Sequence, residues 1–390
     1  MALALLVVFT LDEIGSGVGP AAAPRIASDH SIDPGHGAGT LIAAFYALAI
    51  FVEPLLLRFS ERVRARRWIT AWLLVLGAVM ATGALAGSYG LFLVALALYG
   101  PASGAVCGVS EGALVESRPE ARERTMAHIT LAGALGDLLV PVLLAAVAAV
   151  GGGWRAVLGM AAAAAIVLAV PIASSRELDR RFAGPKEEGE AAPPRMRDAL
   201  RRRELVGWSL ARSLASLMDE VLAAFAAVHV HARVSADPVD GAIAMGFWIA
   251  GGLAGLAVLD RALARFAPAR ILALSGAAAL PVFATLVVAR DFALACGALA
   301  LLGALVSTYH PLASARAYAS MPGHPGVVNA VAALWSPLEL LAPLALGAVA
   351  EVFGPPSALG TLAIVPVVML AIGLAARDDG ARGSRVRCAR

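Results

Sequence analysis

The chain has 390 residues, of which 59% are hydrophobic and only 15% are charged, and its mean hydropathy is +0.79. Soluble globular proteins are about 45–50% apolar and about 25% charged, so this composition excludes a soluble domain. The apolar runs are long and are broken by Gly, Pro and Arg clusters. This pattern indicates α-helical membrane spans rather than the short alternating strands of a membrane barrel.

We predict an all-α integral membrane protein with about twelve transmembrane helices. The predicted spans are residues 3–25, 38–57, 69–87, 90–114, 126–149, 154–174, 206–229, 241–259, 270–289, 292–316, 327–350 and 356–376. A polar segment rich in Pro, Gly and Glu divides them into six and six and cannot form a core of its own. The predicted domains are therefore a first bundle over 1–175, a cytoplasmic linker over 176–204, a second bundle over 205–376 and a basic cytoplasmic tail over 377–390.

Arginines predict the orientation of the spans. They cluster after the even-numbered spans and are sparse on the other side, and such clusters mark the cytoplasmic face. We therefore expect both termini in the cytoplasm. The same clusters explain the pI of about 9.0, so the basic balance is no sign of nucleic-acid binding.

Two acid pairs lie within apolar runs, one in the first span and one in the seventh. They are Asp12-Glu13 and Asp219-Glu220. An acid at the bilayer centre costs about 2.5–3.5 kcal/mol on insertion scales, so intramembrane acids mark functional sites. Adjacent helical residues point about 100° apart, so only one acid of each pair can face a central cavity. We expect that acid to take up and release protons and the other to hold neighbouring helices by hydrogen bonds.

The two acid pairs occupy corresponding positions in the two halves of the sequence, which form an internal repeat. Asp137 in span 5 and Glu339 in span 11 occupy repeat-related positions, and they could relay protons or cations or form interhelical hydrogen bonds. Parallel halves related by an axis along the membrane normal are a transporter architecture. The repeat therefore predicts two pseudo-symmetric six-helix bundles.

The loop after span 2 resembles the corresponding loop of the major facilitator superfamily. Glu61 stands at the acidic position of that loop, and Arg62, Arg66 and Arg67 stand at basic positions, although the loop's glycines are replaced. Residues 260–265 are similar to the counterpart in the second half. The chain resembles this family over essentially its whole length, within a poorly characterised bacterial branch.

Span 5 resembles the family's Gly-Pro-rich antiporter motif over residues 132–141. Val140 stands where the motif has glycine, which puts antiport in doubt. The resemblance implies the fold and a transport activity but not the substrate.

Further site residues follow from the resemblance. Spans 4 and 10 line the cavity in that family, which makes Glu111 and His310 candidates, although a lone histidine in an apolar helix is more often structural. The inner loops are expected to hold a gate shut in one state or to serve topology alone. The gate candidates are Glu61, Arg62, Arg66, Asp260, Arg261 and Arg316.

The favoured function is secondary active transport by alternating access, coupled to protons, with efflux of a cationic or neutral amphipathic small molecule as the favoured direction. The resemblance to a bacterial branch implies a location in the bacterial inner membrane. A small-metabolite symporter or uniporter is the near alternative, and a degenerate transporter acting as a membrane sensor or assembly partner is the other. The sequence has no phosphate-binding loop, catalytic triad or metal-ligand spacing, so we expect no enzyme activity and no cofactor. The expected partners are a small-molecule substrate, protons and the lipid bilayer, with the chain as a monomer.

Overall fold

The computed structural model describes the backbone of residues 1–32, 34–181, 194–234 and 238–388. Side chains are described over the same ranges except at 24, 34–39, 42, 179–181, 220, 223–224, 227, 232, 238–239, 242, 355 and 377–388. All regular structure in these ranges is helical. The predicted all-α membrane fold is confirmed.

Alanine and leucine dominate the helices, as their helix propensity predicts. In the described ranges the helices are α1 Ala2–Ala21, α2 Ala23–Asp29, α3 Pro34–Ser60, α4 Ala65–Leu85, α5 Tyr89–Glu116, α6 Arg122–Ala149, α7 Trp154–Ala173, α8 Arg176–Arg181, α9 Met196–Leu200, α10 Arg203–Arg233, α11 Pro238–Leu263, α12 Pro268–Val288, α13 Phe292–Val306, α14 Tyr309–Ser320, α15 Pro325–Ala333, α16 Ser336–Phe353, α17 Pro355–Thr361 and α18 Ile364–Cys388.

Eleven segments among the described residues are long and apolar enough to cross a membrane. Helix α10, which covers the seventh predicted span, is not among them, although its 31 residues exceed the roughly 20 that a bilayer requires. This helix carries the second acid pair, Asp219-Glu220. The seventh predicted span, and with it the count of twelve spans, therefore stays a prediction.

The tenth predicted span is broken into two helices, α13 and α14, at Ser307 and Thr308. The Ser307 hydroxyl donates to the carbonyl of Ala304 at 3.2 Å, and the Thr308 hydroxyl donates to that of Leu305 at 2.8 Å. These side chains compete with the helix for its own carbonyl groups. The break precedes Pro311, which has no amide hydrogen to donate to the Ser307 carbonyl four residues earlier.

Two other predicted spans are also interrupted, in each case just before a proline. The first span divides at Ala22, two residues before Pro24, and the eleventh divides after Ala333, four residues before Pro337. Proline has no amide hydrogen to donate to the carbonyl four residues earlier, which is that of Pro20 for Pro24 and that of Ala333 for Pro337. The chain therefore restarts a new helix at these points.

Backbone contacts divide the chain into two compact units. Unit 1 consists of Met1–Thr125, Ala132–Val206 and Ala317–Ser336. In this unit α4 packs against α5 and α7, α3 packs against α5, and α1 packs against α5 and α7. Helix α15 packs against α3, α5 and α9. A segment from late in the sequence is thus part of the first unit.

Unit 2 consists of Met126–Leu131, Gly207–Arg316 and Pro337–Arg390. Its helix α11 packs against α13, and α12 packs against α13, α17 and α18. The predicted bundles, 1–175 and 205–376, follow the sequence repeat rather than these contacts and stay a prediction. Parts of the predicted linker and tail lie outside the described residues.

Small residues allow the helices of unit 2 to approach closely. A Cβ atom on Gly303 of α13 would collide with the Trp248 carbonyl oxygen and lie 3.0 Å from the Gly252 amide nitrogen, both on α11. Membrane helices associate through such small-residue contacts because lipid supplies no hydrophobic force between them. Gly303 is therefore a packing requirement for the α11–α13 pair.

We predict that Gly303→Ala lowers the thermal stability of the purified protein in detergent. Overpacking of a tight contact costs about 1–3 kcal/mol, because the two helix backbones must move apart. Gly297→Ala is the matched control on the same helix, since a Cβ there meets nothing within 4 Å. Equal melting temperatures for the two variants would contradict the close-packing requirement.

Candidate functional site

Asp12 is held by hydroxyl groups from one face of α5. The Tyr99 hydroxyl lies 2.9 Å from Asp12 Oδ1, and the Ser103 hydroxyl donates to Asp12 Oδ2 at 2.8 Å. Cys107 lies one turn further along α5, and its thiol also contacts the carboxyl group. Residues spaced by four share one helix face, so α5 presents a phenol, a hydroxyl and a thiol to α1. We call Asp12, Tyr99, Ser103 and Cys107 the Asp12 cluster.

The Asp12 cluster is inside unit 1. Tyr99 is 3% exposed and Ser103 is 9% exposed, while Asp12 and Cys107 are half-buried. Glycine makes room for the phenol, because a Cβ on Gly15 would lie 2.6 Å from the Tyr99 hydroxyl oxygen. The helix spacing and this gap together position the phenol against the acid.

Glu13 faces a different helix, as the 100° rotation between neighbours requires. Its side chain packs against α6, where a Cβ on Gly136 would lie 2.7 Å from the Glu13 Cβ. The Thr10 hydroxyl donates to the Ala132 carbonyl at 2.7 Å on the same side of α1. Asp12 and Glu13 therefore bind two different neighbours of α1.

The other candidates of unit 1 lie apart from Asp12. Glu111 is 5% exposed and follows Cys107 by one turn of α5. Asp137 is exposed on α6, one residue after the glycine that meets Glu13. Both make further polar interactions, so neither is an isolated charge.

Unit 2 has a second polar cluster, formed by α10, α14 and α16. The Ser213 hydroxyl donates to Glu339 Oε1 at 2.7 Å. Arg212 lies close enough to act electrostatically on both Glu339 and His310. The repeat-related acids Asp137 and Glu339 thus have different surroundings, one exposed and one hydrogen-bonded beside an arginine.

Asp219 does not reproduce the environment of Asp12. It is exposed, and the side chain that it contacts is Trp248 of α11. The side chain of Glu220 lies outside the described residues. The sequence repeat therefore places acids at matching positions without matching partners.

The gate candidate Glu61 lies at the arginine-rich end of unit 1 and binds the start of α15. Its Oε1 atom accepts hydrogen bonds from the backbone N–H groups of Gly326 at 2.7 Å and Val327 at 3.2 Å. Its Oε2 atom is 3.6 Å from His324 Nδ1. A carboxylate at a helix N-terminus satisfies free N–H groups and complements the helix dipole.

Glu116 at the end of α5 makes a similar contact. Its Oε2 atom accepts from the Gly323 N–H at 3.3 Å, and its Oε1 atom is 3.5 Å from Arg122. We call the contacts of Glu61 and Glu116 with the backbone of Gly323, Gly326 and Val327 the carboxylate latch. Two acids from the first half of the sequence thereby hold the turn before α15.

Close packing supports the carboxylate latch. A Cβ on Gly326 would lie 2.6 Å from the Leu57 carbonyl oxygen, and a Cβ on Gly112 would lie 2.5 Å from Pro325. The Asn329 side-chain amide donates to the Gly108 carbonyl at 2.7 Å. Helix α15 therefore sits directly on α3 and α5.

The other gate candidates make local contacts. Arg66 donates to the Ala173 carbonyl at 3.0 Å, at the end of α7, and Arg261 donates to a carbonyl of its own helix. Arg316 lies over the Trp208 ring at 5.6 Å. Asp260 is half-buried and has polar partners. Among the described residues, the exposed Arg62 side chain forms no hydrogen bond or ion pair.

Four important polar residues were not singled out as site residues from the sequence: Tyr99, Ser103, Ser213 and Arg212. Ser103, Cys107 and Glu111 recur every four residues in the sequence of α5, and extending this spacing back by four residues reaches Tyr99. An aromatic residue in an apolar run is usually a core residue, so the extension was not evident. No group of three or more metal-ligating side chains occurs in the part of the chain that the structure describes.

A family model and several solved structures match the chain. The model of the Major Facilitator Superfamily matches residues 1–338. No curated protein matches the chain by sequence.

The solved structures agree in fold over nearly the whole chain. The E. coli fucose:proton symporter FucP is 15% identical, covers 95% of this chain and 97% of its own, and has a TM-score of 0.75. The human organic anion transporter MFSD10 (TETRAN) is 15% identical, with 95% and 98% coverage and a TM-score of 0.72. The proton:xylose symporter XylE is 13% identical, with 96% and 94% coverage and a TM-score of 0.74. At such identities the likeness shows the fold alone.

The family model accounts for most of the chain, and the solved structures share its helical architecture. The resemblance read from the loop after span 2 is therefore confirmed. The chain belongs to the major facilitator superfamily, a family of membrane transporters.

Proposed function

We propose that this protein is a secondary active transporter in which Asp12 takes up and releases the coupling proton. The observation that carries the proposal is the Asp12 cluster, whose donors within the described residues are neutral. A neutral donor set can accommodate both the charged and the protonated carboxyl group. An arginine partner would instead favour the charged form strongly.

The position of Asp12 supports the same role. It lies in the middle of α1, where a permanent charge is energetically costly. An ionisable group at such a position usually marks a functional site. Glu13 packs against α6 and Asp219 contacts Trp248, so we assign them to helix contacts. In unit 2, Glu339 with Ser213 is the second candidate for a proton or substrate contact.

The substrate is proposed to be a neutral or cationic amphipathic small molecule. Unit 1 has three acids near Asp12 cluster residues, namely Glu13, Glu53 and Glu111, which disfavours an anion there. In unit 2, the positive charge of Arg212 lies beside Glu339, and this pair is compatible with a polar neutral substrate. Two of the solved structures with the same fold are proton symporters, so symport of a small metabolite is the alternative to efflux.

The carboxylate latch is the proposed inner gate. It joins the ends of α3 and α5 to the start of α15 through charge-assisted hydrogen bonds, which are stronger than neutral ones. Alternating access requires such contacts to form in one state and break in the other. We place the latch on the cytoplasmic face of a bacterial inner membrane, with both termini in the cytoplasm and the protein as a monomer.

The proposal predicts that Asp12→Asn abolishes substrate-driven proton movement. A ligand is first identified by a thermal-shift screen of the purified protein at two pH values. The protein is then placed in proteoliposomes with an internal pH-sensitive dye, and the ligand is added. An amide keeps the size of the side chain but cannot carry a proton, so we expect ligand binding to persist and proton movement to cease.

Asp291→Asn is the control for the Asp12 variant. Asp291 caps α13 by accepting from the Leu294 N–H at 2.8 Å, and asparagine caps helices equally well. This variant should transport normally. Unchanged proton movement in Asp12→Asn would refute the assignment of Asp12, and the sign of the proton movement distinguishes symport from antiport.

The carboxylate latch predicts that Glu61→Ala loosens the start of α15. Hydrogen bonds to a charged group are worth about 1.5–3 kcal/mol, which corresponds to roughly ten- to hundredfold faster amide exchange. Hydrogen–deuterium exchange of a peptide that contains Gly326 and Val327 measures this change. Arg62→Ala is the matched control, since it removes a charge from the neighbouring residue without touching the latch. Equal exchange in both variants would show that Glu61 does not hold α15.

A further inference from the structure

We infer that Tyr99 is a positioning residue that converts the protonation of Asp12 into a change of contact between α1 and α5. The inference rests on the proposed role of Asp12. Its basis is that the Tyr99 hydroxyl oxygen has two acceptors on the same residue. It lies 2.7 Å from the Asp12 main-chain carbonyl oxygen and 2.9 Å from Asp12 Oδ1.

A phenol has one proton to donate, so the two acceptors compete for it. When Asp12 is charged, Tyr99 donates to Oδ1 while Ser103 donates to Oδ2. When Asp12 has gained a proton on Oδ1, its own O–H becomes the donor and the Tyr99 oxygen becomes the acceptor. The Tyr99 proton then turns to the Asp12 carbonyl. One proton enters at Asp12, none leaves Tyr99, and the direction of one hydrogen bond reverses.

Ser103 differs from Tyr99 in this respect. Among the described residues, its hydroxyl donates to Asp12 Oδ2 at 2.8 Å and forms no hydrogen bond with the α1 backbone. Ser103 therefore stabilises the charged carboxylate but has no second acceptor on α1 when Asp12 is protonated. The two hydroxyl groups can be separated by experiment because only one of them joins the acid to the main chain.

The surroundings of Tyr99 transmit a change at its hydroxyl group. Gly15 of α1 lies against the phenol, and the Tyr99 ring is tilted against Phe45 of α3 with ring centroids 5.8 Å apart. Gly100, the next residue, packs directly on the Phe45 carbonyl oxygen. A small cavity beside the phenol is lined by Gly15, Met80 and the Tyr99 ring. Reversal of the Tyr99–Asp12 hydrogen bond therefore alters side-chain contacts that α5 makes with both α1 and α3.

Several other titratable groups face this region and must be distinguished from Asp12. On α5 they are Glu111 and Cys107, the latter a member of the cluster, and on α1 it is Glu13. Both glutamates interact electrostatically with Cys107. On α3, Glu53 packs against Gly104, the residue after Ser103. On α6, Asp137 follows the glycine that meets Glu13. None of these side chains is altered in the variants below.

The test compares Tyr99→Phe with Ser103→Ala in two measurements. The first is infrared titration of the protonated carboxyl band in proteoliposomes, assigned to Asp12 by its loss in Asp12→Asn. Each variant removes one donor to the charged carboxylate, so each should raise the pH of half-protonation, with about a tenfold gain in proton affinity. The second is ligand-driven proton movement. It should fall about tenfold in Tyr99→Phe and stay near the wild-type rate in Ser103→Ala.

Two more variants make the test specific. Gly15→Ala keeps the phenol but forces its hydroxyl away, so it should reproduce the loss seen in Tyr99→Phe. Tyr309→Phe is the control, because Tyr309 is fully buried in unit 2 and its hydroxyl has no hydrogen-bond partner among the described residues. It should leave both measurements unchanged. Thermal-shift binding of the ligand confirms that every variant is folded.

The outcomes separate the inference from the proposed function. If Tyr99→Phe behaves like Ser103→Ala in both measurements, the positioning role of Tyr99 is overturned while Asp12 keeps its role. If Asp12→Asn leaves the carboxyl band and the proton movement intact, the proposed function itself fails. A shifted titration together with lost coupling in Tyr99→Phe and Gly15→Ala supports the inference.

Discussion

A carboxyl group inside an apolar helix must be solvated by the protein itself, because the bilayer core offers no water to do so. Asp12 meets this requirement with two hydroxyl groups from a single face of α5. That solution fixes the distance between α1 and α5 and requires a residue without a side chain at Gly15. Glu13 is accommodated separately, against the glycines of α6. The packing of α1 on both sides is therefore arranged around its two acids.

The sequence was sufficient for the helical membrane fold and for the different orientations of Asp12 and Glu13, because both follow from composition and helix periodicity. It was not sufficient for Tyr99, since an aromatic residue in an apolar run has the pattern of a core residue. The partners of Glu61 could not be predicted either. They are 265 and 266 residues away in the sequence, and no local pattern reports such a contact. The breaks in spans 1, 10 and 11 depended on proline and hydroxyl positions that hydropathy alone does not weigh.

The two halves share a sequence repeat but not a chemical environment. Asp12 has hydroxyl partners, whereas its counterpart Asp219 is exposed beside Trp248. Conversely, Glu339 is hydrogen-bonded to Ser213, whereas its counterpart Asp137 is exposed. The side-chain partners of the ionisable groups therefore differ between repeat-related positions. A charge at a repeat-related position is weak evidence for a shared role.

The membership of Ala317–Ser336 in unit 1 has a consequence for how the protein is made. Domains generally fold as units, the first of them during synthesis. Here the first unit cannot be completed until the ribosome has passed Ser336. Until then, Gly108 and Gly112 of α5 lack their packing partner, and the carboxylates of Glu61 and Glu116 lack the N–H groups of Gly326 and Gly323. The first unit therefore stays incomplete in the membrane while the ribosome translates residues 207–336.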